Sequence, residues 1–79
     1  MRIKYPKVIQ ESEEDLTRLE QRLRGQKAAD RVRVLRLLKS GTAKSLKDCA
    51  PMVGYSVSQL TRWWECYQAE GLVGVLKQQ

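Results

Sequence analysis

The sequence predicts an all-α fold, a small bundle of about four helices built around a helix-turn-helix. Three observations predict it. Apolar residues recur at three- and four-residue spacing in four separate segments. Hydroxyl residues that cap helix N-termini stand before three of those segments, and a glycine closes each of the four. The run Leu46 to Trp63 reads as helix, tight turn, helix.

The elements follow in order. Residues 1–11 form a basic arm, because Pro6 and the mixed residues around it do not sustain a helical stripe; the alternation Arg-Ile-Lys-Tyr leaves room for a short edge strand. Residues 12–76 form the folded domain and 77–79 a tail. Ser12 caps the first helix, with Glu13, Glu14 and Asp15 set against the positive end of its macrodipole. Leu16, Leu19 and Leu23 make its apolar stripe, and Gly25 ends it. The second helix runs from about Gln26 to Ser40. Ala28, Val32 and Leu35 form a ridge that Val34 and Leu38 widen, so the helix packs against two neighbours at once.

Ser45 or Thr42 caps the third helix, which ends near Val53. Pro51 lies beyond its first turn, where the ring clashes with the carbonyl four residues back, so this helix is short or bent near its end. Ala50 is small where two helix backbones approach, and Gly54 takes the positive φ of a tight turn. Ser56 caps the fourth helix, with Gln59 three residues on to complete a capping box. Leu60, Trp63, Trp64 and Tyr67 form its core face as far as about Glu70. Gly71 caps its end, with Leu72 folding back. A bulky residue at Gly54 is then expected to cost more stability than one at Gly71, whose helix end can fray.

Composition limits the functions available. Seventy-nine residues make one domain, which at this size buries only about 60% of its unfolded surface. Cys49 and Cys66 cannot form a disulfide framework, and with no histidine a four-ligand zinc site cannot be assembled. No signal peptide is expected in Met1–Gln10, and no apolar run approaches the ~20 residues of a membrane span. A soluble, intracellular protein is expected. No nucleophile–base pair, phosphate loop or carboxylate constellation stands out; the trio Glu13-Glu14-Asp15 is accounted for by capping. No enzyme, cofactor or metal is therefore expected of this chain.

The net charge is +6, and its placement is informative. Residues 1–10 carry +3, 11–30 carry −2, 31–50 carry +5 and the rest sum to zero. A basic block inside a folded segment is either a solvated helix face or a phosphate-binding face. Beside a helix-turn-helix the second reading leads, with double-stranded DNA as partner. Base edges would be read near the start of the fourth helix by side chains turned away from Leu60 and Trp63. These are Val57, Ser58, Thr61 and Arg62. Arg62 suits guanine O6 and N7, and Val57 or the Thr61 methyl suits a thymine methyl. Ser56, Lys44 and Lys47 lie beside helix N-termini, and Arg33 and Arg36 on the outer side of the second helix; these five are the candidate phosphate contacts.

Four segments together resemble one family: Arg31-Val-Arg-Val-Leu-Arg-Leu-Leu, Ser40-Gly41, Gly54-Tyr-Ser-Val-Ser-Gln-Leu-Thr-Arg-Trp-Trp, and Tyr67-Gln-Ala-Glu-Gly-Leu-Val-Gly. The likeness is to the N-terminal DNA-binding region of mariner-like bacterial insertion-sequence transposases, and it covers about Ser12 to Leu76. It implies a homeodomain- or paired-like fold and recognition of a transposon terminal inverted repeat. In that family a second helix-turn-helix and a catalytic domain with three metal-binding acidic residues follow, and neither is expected here. The family's base contacts carry over only to the positions just after Ser56, where this chain has Val57 and Ser58. The expected setting is the bacterial cytoplasm and nucleoid, with a second copy or the remainder of a transposase as further partner. Two alternatives stand beside it: a standalone repressor, and a helical interaction or dimerisation module using Trp63, Trp64 and the basic helix.

Overall fold

A computed structural model describes residues 4–77, and among them every regular element is an α-helix. There are five: α1 (Tyr5–Val8), α2 (Glu13–Arg22), α3 (Lys27–Ser40), α4 (Leu46–Val53) and α5 (Val57–Leu76). Three of the expected hydroxyl caps form. Ser12, Ser45 and Ser56 each accept a hydrogen bond from the backbone N–H three residues on, at 3.1, 3.2 and 3.2 Å. Ser45, not Thr42, therefore starts α4; the Thr42 hydroxyl pairs with that of Ser40. α4 is short, as expected, but it runs through Pro51 to Val53 and stops at the left-handed Gly54.

α3 is the hub, in contact with each of the other four helices, and α4 also packs on α5. The reason lies in its sequence: Val32, Val34, Leu35, Leu37 and Leu38 are all buried, so apolar surface extends well beyond one stripe. The core gathers Leu16 from α2, Val32 and Leu38 from α3, Cys49 from α4, and Leu60 and Val75 from α5. Trp63, Trp64 and Tyr67 are core residues too, all under 7% exposed. Cys49 is buried, Cys66 half-buried, and the two form no disulfide.

Three expectations change. The basic arm is not an arm from Tyr5 onward, and Tyr5 is helical rather than part of a strand; the rest of the proposed strand includes residues outside those described. Pro6 sets the φ of a first helical turn, and Tyr5 and Ile9 join the core. The Tyr5 ring meets Trp64 edge-on at 4.8 Å. Lys39 Nζ donates to the Pro6 and Ile9 carbonyls, both at 2.8 Å. The Tyr67 hydroxyl accepts from the Gln10 N–H and donates to Glu11.

Second, α2 closes earlier than Gly25. It ends at Arg22, and Gly25 with φ +87° completes the turn that follows. Third, Gly71 is no left-handed cap. Its φ of +73° with ψ of −160° lies in a region essentially reserved for glycine. The chain bends there and resumes a helical course to Leu76, which buries Val75 to 1% exposure. With these angles, a side chain at Gly71 is expected to cost more than one at Gly54, the opposite of the order expected from the sequence.

Candidate nucleic-acid interface

The turn between α4 and α5 has the expected form. Gly54 adopts φ +77°, ψ +27°, and the N–H groups of Gly54 and Tyr55 both reach the Ala50 carbonyl, at 2.9 and 3.3 Å. A Cβ built on Gly54 meets nothing within 4 Å. The glycine is needed for its backbone angle, not for close approach of the helices.

Tyr55 locks this turn to α3. Its ring packs edge-on against Trp63 at 4.8 Å, and its hydroxyl donates to Asp30 Oδ2 at 2.7 Å. That bond to Asp30, with some burial, pushes the Tyr55 phenol up. Sequence reasoning missed this anchor. The available signal was an aromatic residue in the middle of a three-residue connection, where a polar residue is the norm.

From the turn, α5 divides cleanly. Leu60 is 0% exposed and Trp63 6%, while Val57, Ser58 and Arg62 are exposed and Thr61 half-buried. The four expected base readers therefore share the outer surface of the first two turns. Thr61 Oγ1 donates to the Val57 carbonyl at 2.8 Å, so its hydroxyl proton is engaged and its methyl and lone pairs remain for a base. Glu65, three residues past Arg62 and exposed, lies on the same face. The helical period that selected Ser58 and Arg62 also selects Glu65, a carboxylate suited to cytosine N4.

The five expected phosphate contacts do not stay together. Lys44 and Lys47 are exposed at the start of α4, and Ser56 at the start of α5, where backbone amides lack intrahelical partners. Arg33 is exposed on α3, close enough to α4 for its charge to offset part of the upward push that burial gives the Cys49 thiol. Arg36 is redirected: its Nε lies 2.6 Å from Glu20 Oε1 on α2 in a half-buried ion pair. The basic block is broken elsewhere as well. Arg31 is 4% exposed, with its guanidinium 5.7 Å from the Trp63 ring centre and Nη1 donating to the Val75 carbonyl at 3.3 Å. Lys39 holds α1. Half of the six cations between residues 31 and 50 thus serve the fold.

A family model described as helix-turn-helix domain matches residues 30–79, which begin in α3 and take in α4 and α5. No curated protein and no solved structure matches the chain.

Proposed function

The chain belongs to the helix-turn-helix domain family, and on that premise we propose that it binds double-stranded DNA sequence-specifically, with the start of α5 in the major groove. The observation that carries this is the division of α5: Leu60 and Trp63 are buried while Val57, Ser58 and Arg62 stand on the opposite, solvent-facing side. α4 crosses the backbone, with Lys44 and Lys47 at its phosphate end. Base reading is assigned to Val57, Ser58, Thr61 and Arg62, and backbone contact to Lys44, Lys47, Ser56 and Arg33. The chain acts as a binding module, not as a catalyst.

The finer reading is recognition of a transposon terminal inverted repeat, as the DNA-binding part of a split or truncated transposase in the bacterial nucleoid. The residues Arg62-Trp63-Trp64 and Glu70-Gly71-Leu72, together with the basic run from Arg31, support it through their likeness to mariner-like insertion-sequence transposases.

Selection from a random duplex pool, followed by anisotropy titrations on the enriched and scrambled duplexes, tests both levels. Arg62→Ala should weaken the enriched site by about 1–3 kcal/mol and the scrambled duplex far less; Arg62→Lys should restore general attraction but little discrimination, because lysine lacks the planar fork. Equal losses on both duplexes would make Arg62 a phosphate contact. An enriched sequence found at inverted repeats flanking the gene supports the transposon reading; one found in a promoter favours a repressor.

A further inference from the structure

Lys44 meets Lys4 and Lys7, far from it in sequence, at one groove. It lies between α1 and the α3–α4 connection, with a volume of about 320 Å³. Lys4 is the N-cap residue of the short helix and Lys7 lies in its last turn, and Lys44 stands just before the Ser45 cap of α4. Tyr5, Pro6 and Ala43 lie between them, and no acidic side chain lines the groove among the described residues. All three lysines are exposed.

The groove is a fixed feature, since α1 is tied down at both ends. Tyr5 is wedged against Trp64, Ile9 is 1% exposed, and Lys39 holds the Pro6 and Ile9 carbonyls. Two of the three cations are thereby held in position relative to α4.

We infer that this groove is a second DNA-backbone site, in which Lys4, Lys7 and Lys44 bind phosphates while the Tyr5–Pro6 floor lies against the sugars. The inference rests on the DNA-binding reading above and extends it. Chemistry selects the occupant. A duplex backbone alternates anionic phosphates with apolar sugar faces, which matches a cationic rim around an apolar floor. Position agrees with this. When the third helix of a three-helix reader lies in the major groove, the connection between its first two helices runs along the backbone. In this chain that connection is residues 41–45, which supply Ala43 and Lys44 to the groove. Residues 4–9, expected as part of a basic arm, thus become a fixed extension of the phosphate-contacting surface.

The test uses the full chain and a short random-sequence duplex, titrated by anisotropy over a range of salt concentrations. The double variant Lys4→Gln, Lys7→Gln should reduce the slope of log affinity against log salt by about two units. Across a fourfold rise in salt, wild type should therefore lose about tenfold more affinity than the variant. A control, Arg18→Gln with Arg22→Gln, removes the same charge from α2, whose helix contacts among the described residues are with α3 alone, and should leave the slope nearly unchanged. Thermal melts check that both variants fold, as exposed substitutions should. A steep wild-type slope that the Lys4/Lys7 variant retains overturns the groove but not DNA binding. Equal slope losses in both variants reduce the effect to net charge and also overturn the groove. A wild type that binds no duplex removes the DNA-binding reading and this inference with it.

Discussion

The two ends of α5 belong to one helix and obey different rules. In its first two turns, Val57 to Arg62, Leu60 is the one buried side chain, and the others are exposed or half-exposed. From Trp63 onward nearly every inward position is committed: Trp63 to Tyr55 and Arg31, Trp64 to Tyr5, Tyr67 to Gln10 and Glu11, Val75 to the core. A helix that must both read a ligand and hold a fold separates the two tasks along its length. Changes at the front should therefore alter binding with little loss of stability, and changes at the rear should do the reverse.

The largest expected effect contrasts the two glycines at the edges of these regions. Gly71→Val should destabilise by about 3 kcal/mol, because its φ/ψ excludes side chains and because relieving the strain unseats Val75. Gly54 lies in the ordinary left-handed region, which asparagine tolerates. Chemical denaturation of Gly71→Asn and Gly54→Asn sharpens the contrast: a clear loss for the first and under about 1 kcal/mol for the second. Equal losses would break it.

A smaller effect concerns Tyr67, at the rear. Burial first, and its bond to Glu11 second, push its phenol up to about 12. The folded state thus keeps a proton that the unfolded chain, with a phenol near 10, gives up sooner. The stabilisation is whole below about pH 10 and is lost as pH rises from about 10 to about 12, roughly 2 kcal/mol in all. Stability curves of wild type and Tyr67→Phe should converge over that interval. Parallel curves would show that folding does not raise the Tyr67 phenol.

The smallest stability effect is expected at the front. Arg62→Ala, which should impair DNA discrimination, should change stability by less than about 0.5 kcal/mol, since exposed substitutions away from caps and core rarely do more. A melting temperature that falls with binding would mean that α5 is not divided as described.

Local order was legible in the sequence because its causes are local. A cap acts over three residues, an apolar stripe over three or four, and a left-handed glycine over one turn. Ser12, Ser45, Ser56 and Gly54 therefore lie where sequence patterns put them, as do the buried Leu60, Trp63 and Trp64. The outer face of α5 follows from the same period, so the exposure of Val57, Ser58 and Arg62 was determined as soon as Leu60 and Trp63 were assigned inward. What only the tertiary structure decided was the use of charge and of the chain ends. Arg31, Arg36 and Lys39 share a helix and a sign with Arg33, yet one is buried, one paired with Glu20 and one bonded to α1. Each outcome depends on a partner 16 or more residues away, and no spacing rule reaches so far. The same holds for α1: four residues cannot hold a helix alone, and these do so because Tyr5 and Ile9 find a core built by α3 and α5. Propensity and period set α2 to α5, whereas α1 and the fate of each long polar side chain were settled by which surfaces met when the helices packed.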